Sequence, residues 1–184
     1  MTATKVNTII SNPRGNRIHS PFAFELVSEV LFAKDDNRFT LGSLTGSNDL
    51  PERKIGAIMR VAAFAKYKRI LLAGFDGDKW MQVISGCLPD IEAEFQSGTD
   101  IALIRKNEMV VWFDTPPETV IQQGAVDSVW IFFDLEHNGT LLCFEALIND
   151  SRVSQTFRMN TFGIAIFNAR FQKEHFVIKG KRAY

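Results

Sequence analysis

A carboxylate and an imidazole stand close together where one apolar run of the sequence ends. Asp134 follows residues 129–133, and His137 comes one helical turn later, with Glu136 between them. Side chains this close can orient a proton-transfer pair, and their oxygen atoms can bind Mg²⁺ or Ca²⁺. The plainer alternative is a solvated turn that caps the helix predicted from Thr140. Asp134 and His137 are therefore the catalytic candidates, and no metal-ligand set is assigned.

A further acid ends another apolar run. Asp114 follows residues 109–113 and precedes Thr115-Pro116-Pro117. Ligands of open α/β sheets bind at the carboxyl ends of the strands, so Asp114 is a candidate cofactor-binding residue. Capping of the next helix, which the prolines would open, explains the same residue equally well.

The remaining candidate is a turn between an apolar run and a helical segment. It consists of Gly74, Phe75, Asp76, Gly77 and Asp78. A turn in this place presents backbone N–H groups to a nucleotide, and an acid in it can bind an ammonium group. A dinucleotide fingerprint would have a third glycine, and the acids would repel a phosphate. The alternative is a tight turn in which Asp76 or Asp78 caps the helix.

The periodicity of the sequence indicates the elements that hold these residues. Ser20 and Pro21 begin one predicted helix, and Asp49 caps a second. Short apolar runs then alternate with helical segments, which is typical of a parallel sheet covered by helices. The predicted strands are residues 70–72, 101–104, 109–113, 129–133 and 164–167, and the predicted helices 79–86, 118–123 and 140–148. Residues 153–159, 162–167 and 175–178 predict antiparallel strands at a sheet edge.

Three tryptophans lie in or beside apolar runs: Trp80, Trp112 and Trp130. An indole ring can stack on adenine, but its large apolar surface more often fills a core. We therefore expect all three in the core.

Composition argues against several classes of partner. The 184 residues suit one structural domain, in which residues 1–68 form an arm and two helices that pack on a core at 69–184. Lys+Arg and Asp+Glu balance at 21 each, so neither a nucleic acid nor a membrane is predicted as partner. Cys87 and Cys143 lie among apolar residues, as buried thiols of a reducing compartment do. With no run typical of a signal peptide or a membrane span, we expect a cytoplasmic protein.

Three segments resemble a bacterial class I S-adenosylmethionine-dependent methyltransferase family: residues 18–27, the turn at Gly74, and residues 173–178. The first is similar to that family's H-S-P-F-x-F helix and the last to its H-F-x-I strand. Residues 129–137 are similar to its strand that ends in a D-x-x-H turn. The resemblance implies a Rossmann-like methyltransferase fold, with a mostly parallel sheet and a C-terminal antiparallel hairpin. It also implies S-adenosylmethionine as the cofactor at residues 74–78.

The sequence departs from the family pattern at the cofactor site. Ala73 stands where the family carries an acid, and much of the middle, which holds the ribose-binding acid and the adenine pocket, is predicted to be deleted. We therefore predict a trimmed fold and a degenerate protein in which cofactor binding is weak or lost. Two alternatives stay open. One is an active methyltransferase whose small-molecule acceptor lies near Asp114, Asp134 and His137, and the other is a non-catalytic scaffold for a partner or for self-association as a homo-oligomer.

Overall fold

The computed structural model describes residues 7–10, 18–32, 52–74, 77–97, 104–122 and 126–179. Within these ranges, eight strands form one sheet. They are β1 (Asn7–Ile10), β2 (Arg69–Ala73), β3 (Glu92–Gln96), β4 (Met109–Trp112), β5 (Ser128–Phe133), β6 (Gln155–Arg158), β7 (Phe162–Phe167) and β8 (Glu174–Ile178).

Helices cover both faces of this sheet. In the described ranges they are α1 (Pro21–Glu25), which continues as a π-helical segment (Leu26–Leu31), α2 (Glu52–Ala65), α3 (Gly77–Cys87), α4 (Glu118–Ile121) and α5 (Asn138–Asn149). None of the helices described is long and apolar enough to cross a membrane.

The strand order is β1-β8-β6-β7-β5-β4-β2-β3. Every neighbouring pair is parallel except those of β7, which runs antiparallel to both β5 and β6. The chain therefore has a mixed α/β architecture with one reversed strand, inserted by a C-terminal hairpin. This is the Rossmann-like methyltransferase fold, and it confirms the predicted fold class.

The register brings the ends of three central strands to one edge. Ala73 of β2 pairs with Trp112 of β4, and Trp112 pairs with Phe132 of β5. The residues that follow these strands therefore meet at what we call the carboxyl edge. The residues before the same strands meet at the opposite amino edge.

Alternation along the strands builds a core on each face. Ile70 and Leu72 join the core under the N-terminal helices α1 and α2 and helix α3. Leu71 and Ala73 point the other way, into the core under α4 and α5. Because residues on both faces are buried, the central strands are apolar without interruption, as expected of a helix-covered parallel sheet.

Ser20 begins α1 as predicted. Its hydroxyl accepts a hydrogen bond from the Ala23 N–H at 3.3 Å and another from the Gln155 side-chain amide at 3.1 Å. One residue therefore caps the helix and attaches it to β6. The predicted cap of the second helix, Asp49, lies outside the described residues.

Several elements differ from the predictions. The periodicity predicts neither β1, which pairs with β8, nor β3, which pairs with β2. Both are sheet-edge strands, and β3 has the polar sequence EAEFQ, which gives no apolar run. Residues 101–103 lie outside the described ranges, and Ile104 is buried but belongs to no strand. The last strand, β8, is parallel to β6 and not antiparallel. The chain reverses its direction between β6 and β7 and again before β8, and β8 lies on the far side of β6 from β7.

Candidate functional site

The Gly74 turn lies directly against the end of β4. Gly74 has φ 112°, and a Cβ placed on it would come within 3.0 Å of the Asp114 backbone N. The Phe113 N–H donates to the Ala73 carbonyl at 2.9 Å, which joins the two strand ends. The structure therefore brings two of the predicted cofactor-binding residues, Gly74 and Asp114, into contact distance. Only glycine fits here, because the conformation is left-handed and the space is closed.

The other residues of the turn are described only in part. Gly77 and Asp78 begin α3, which starts earlier than the predicted Lys79. Phe75 and Asp76 lie outside the described residues, as does the side chain of Asp78. Their roles in cofactor binding stay predictions.

The expectation that much of the middle is deleted stays a prediction. One strand of this region is nevertheless present. It is β3, and it lies parallel to β2 at the edge of the sheet. It ends on Gln96, whose side-chain amide donates to the Glu94 carboxylate at 2.6 Å. The second strand is therefore retained, but its last residue carries no acid.

Asp134 and His137 share one turn but contact through the backbone. Asp134 is exposed with φ 64°, and its carbonyl accepts from the His137 N–H at 2.9 Å. His137 precedes α5 without capping it through its side chain. A catalytic role of either residue stays a prediction, and helix capping by the imidazole is not observed.

The imidazole of His137 is instead close to two hydroxyl groups. Its Nδ1 lies 3.3 Å from the Thr115 Oγ1, which in turn lies 3.0 Å from the Thr140 Oγ1. Thr115 directly follows Asp114, so this chain of contacts links the ends of β4 and β5. Neither Thr115 nor Thr140 is among the residues predicted from the sequence, although the position of Thr115 after a buried strand is a signal that could have found it.

Three stacked aromatic rings lie next to the Gly74 turn. Trp80 of α3 stacks on Phe113 with ring centroids 4.5 Å apart, and Phe113 stacks on Phe133 at 5.6 Å. A Cβ on Gly74 would lie 3.3 Å from the Phe113 Cβ, so the stack adjoins the turn. Trp80 is buried, as predicted for a core residue.

The other two tryptophans also belong to the core. Trp112 and Trp130 are buried on the opposite face of the sheet, with ring centroids 5.7 Å apart. Cys87 and Cys143 are free, partly buried thiols, and burial raises the pKa of each. Both cysteines therefore resemble packing residues more than reactive ones.

The carboxyl edge also carries a cavity beyond β5. It has a volume of about 400 Å³ and is lined in part by Glu136, Arg158 and Lys179. Arg158 forms an ion pair with Glu145 at 3.1 Å. Among the residues the structure describes, no group of three or more His, Cys, Asp or Glu side chains is arranged to hold a metal ion. The divalent-cation hypothesis for Asp134, Glu136 and His137 therefore gains no support from the geometry.

The chain is similar in structure to an O-methyltransferase. This is TomG from Streptomyces achromogenes, which is involved in tomaymycin synthesis and was solved in complex with SAM. The two chains are 13% identical, and the match covers 80% of this chain and 96% of TomG with a TM-score of 0.48. Neither a protein-family model nor a curated protein matches the sequence.

Proposed function

We propose that this chain is a methyltransferase-like protein of the S-adenosylmethionine-dependent class in which cofactor binding is weak or lost. The fold and the Gly74 turn support the class. The proposal of weak or lost cofactor binding rests on the position of the Trp80 ring, which stacks on Phe113 at 4.5 Å beside that turn. A nucleoside at this place would have to displace a buried aromatic contact, which contributes about 0.5–1.5 kcal/mol beyond its buried area.

The polar groups at the strand ends support the same proposal. S-adenosylmethionine needs acceptors for its ammonium group and its ribose hydroxyls. The strand β2 ends on the buried apolar Ala73, and β3 ends on Gln96, whose amide already donates to Glu94. Neither of these two strand ends therefore supplies a carboxylate for the ammonium group or the ribose. A charge-assisted hydrogen bond is worth about 1.5–3 kcal/mol, so the loss of two moves an affinity from about micromolar to about millimolar.

A non-catalytic chain of this kind would act through its surface, as a scaffold for a partner or for a second copy of itself. Fold does not fix function, and a Rossmann-like sheet can persist after its ligand site is lost. Under this proposal the Thr115–His137–Thr140 contacts join two strand ends and have no role in proton transfer.

An active methyltransferase is the second candidate, and one arrangement favours it. Asp114 lies beside Gly74, and His137 reaches Thr115 at 3.3 Å on the same edge. In that case the acceptor would lie along this edge, toward the 400 Å³ cavity. The chain's residues would then mainly position the acceptor, because a methyl sulfonium is already activated and needs little acid–base help.

Calorimetric titration with S-adenosylmethionine and S-adenosylhomocysteine decides between the two candidates. We expect no saturable heat below about millimolar ligand, because two polar contacts are missing. Each protein is first shown to unfold cooperatively, so that silence does not reflect a misfolded sample.

Saturable heat at micromolar ligand would contradict the proposal and support the enzyme. Gly74→Ala should then abolish the heat, since its Cβ would meet the Asp114 backbone N at 3.0 Å. Asp134→Ala serves as the control variant at the end of β5, which β4 separates from β2. If it leaves cofactor binding unchanged but lowers methyl transfer to a small acceptor, Asp134 acts on the acceptor.

A further inference from the structure

A cavity of about 590 Å³ opens at the amino edge of the sheet, opposite the candidate site. We call it the amino-edge cleft. Residues that precede β2, β4 and β5 line it, together with aromatic side chains of α1 and of the loop after β7. The lining includes Phe22, Tyr67, Lys68, Lys106, Asp127 and Arg170. Its volume lies within the range of about 300–1,000 Å³ that small-molecule sites occupy.

The lining of the cleft is strongly cationic. Lys66, Lys68, Lys106 and Arg170 contribute four positive charges, and Asp127 contributes one negative charge. Lys106 pairs with the Asp127 carboxylate at 3.4 Å. Within the described residues, no carboxylate forms an ion pair with Lys66, Lys68 or Arg170. Three like charges around one concave surface raise the local concentration of anions.

One wall of the cleft is aromatic. Phe22 and Phe171 stack with ring centroids 4.6 Å apart, and both rings are only partly buried. Tyr67 adds a third ring, and its hydroxyl donates to the Asp127 carbonyl at 3.1 Å. Because this hydrogen bond fixes the phenol, the apolar wall is formed before any ligand arrives. A flat apolar group would pack on it without reorganising the wall.

The backbone around the cleft is unusual at three places. Lys66, Asn107 and Asp127 have φ values of 57°, 59° and 62° and all line the cavity. A left-handed conformation is uncommon outside glycine, although Asn and Asp adopt it more readily than other residues do. Such residues are concentrated at functional sites more often than elsewhere, so their convergence on one cavity supports a role for it.

We propose that the amino-edge cleft binds a small organic anion whose flat apolar body packs on Phe22 and Phe171 and whose anionic group meets Lys68 and Arg170. Both a carboxylate and a phosphate fit this description, since lysine binds either as a point charge and arginine binds either with two parallel hydrogen bonds.

Titration of the full chain with four probes tests the proposal, with binding followed by heteronuclear NMR. Phenylacetate and phenyl phosphate carry both features, benzyl alcohol carries the ring alone, and inorganic phosphate carries the charge alone. We expect one or both aromatic anions to bind at least about threefold more tightly than either partial probe, because the ring and the charge each contribute. The stronger of the two identifies a carboxylate or a phosphate as the natural anionic group.

Charge variants locate the binding. Lys68→Gln and Arg170→Gln should each weaken the aromatic anion about two- to fivefold, as expected for exposed ion pairs. Lys179→Gln removes the same charge at the opposite edge and should leave the affinity unchanged. The proposal is overturned if benzyl alcohol or inorganic phosphate binds as tightly as the aromatic anions, or if no probe binds. It is also overturned if Lys179→Gln weakens binding as much as Lys68→Gln and Arg170→Gln do.

Discussion

The fold raises the pKa of the Tyr67 side chain. Burial, and to a smaller extent the nearby Asp127 carboxylate, together raise the pKa of its phenol from 10.0 to about 12. The folded chain therefore holds the phenolic proton more tightly than the unfolded chain does. Stability from this group is complete below pH 10 and is lost as the pH rises toward 12.

Titration of the phenolate absorbance tests this shift. The sequence contains two tyrosines, so Tyr184→Phe leaves Tyr67 as the sole phenol. We expect a midpoint near 12 in the folded variant and near 10 in denaturant. Tyr67→Phe should remove the late titration from the natural chain. A midpoint near 10 in the folded variant would show that the phenol is open to water.

Single residues also show where sequence reasoning reaches its limit. The sequence predicted that Gly74 and Asp114 would meet at one edge, and they do, because parallel strands end together. It also paired Asp134 with His137, whereas the imidazole contacts Thr115. Neighbours in sequence share a turn, but the direction of each side chain depends on the strand beside it.

The helices and strands depend on small residues where they meet. Gly163 of β7 lies under α5, and a Cβ on it would come within 2.7 Å of the Phe144 ring and 2.9 Å of Leu135. Helix α5 can therefore approach the sheet only because this residue has no side chain. Gly56 in α2 is different, since the nearest atom to its Cβ would be 3.6 Å away, on Arg60.

Two alanine substitutions are expected to act in opposite directions. Gly163→Ala should lower the free energy of unfolding by about 1–3 kcal/mol, because Phe144 or the sheet must shift. Gly56→Ala should raise it by about 0.5–1 kcal/mol, because alanine is the better residue in a helix interior. Urea unfolding of both variants measures the difference. Equal effects of the two changes would show that α5 does not pack on β7 as described.

For the molecule as a whole, Arg69 joins three strands at the amino edge. It forms ion pairs with Glu94 of β3 and with Glu108, which precedes β4 and lies 3.0 Å from it. Glu108 is buried, and burial raises the pKa of its carboxyl although the Arg105 N–H and Arg69 oppose the shift. The pKa of Glu94 is lowered, first by the Gln96 amide and then by Arg69. The fold therefore favours the charged form of Glu94 and disfavours the charged form of Glu108.

Substitutions of Arg69 and of Glu108 should change the free energy of unfolding by different amounts. Arg69→Met should lower the free energy of unfolding by about 3 kcal/mol at neutral pH, since it leaves a buried carboxylate uncompensated. Glu108→Gln should change it by less than about 1 kcal/mol, because the amide oxygen can still accept from the Arg105 N–H.

The pH dependence supplies the control for this pair. Because the pKa of Glu108 is raised, its folded form binds the proton more tightly, and ionisation at higher pH favours unfolding. The deficit of Arg69→Met should therefore shrink as the pH falls from about 7 to about 5, and guanidinium unfolding at both values measures it. A deficit that does not change with pH would mean that Glu108 is hydrated in the variant.

The sequence by itself determined the kind of fold, and it predicted the edge at which a site would lie. Periodicity depends on local alternation between buried and exposed positions, so runs of apolar residues predict the central strands and the helices between them. The polar edge strand β3 and the short strand β1 gave no such signal, because an edge strand is only half buried and its sequence need not be apolar.

Only the tertiary structure decided which distant side chains meet. The amino-edge cleft collects Phe22, Tyr67, Lys106, Asp127 and Arg170, which no spacing relates. The stack of Trp80 on Phe113 beside Gly74 likewise depends on how α3 packs on β2 and β3, next to the end of β4. Both are set by strand order and by the packing of helices on the sheet. These arise from contacts summed over the whole chain, so a reading of local pattern cannot supply them.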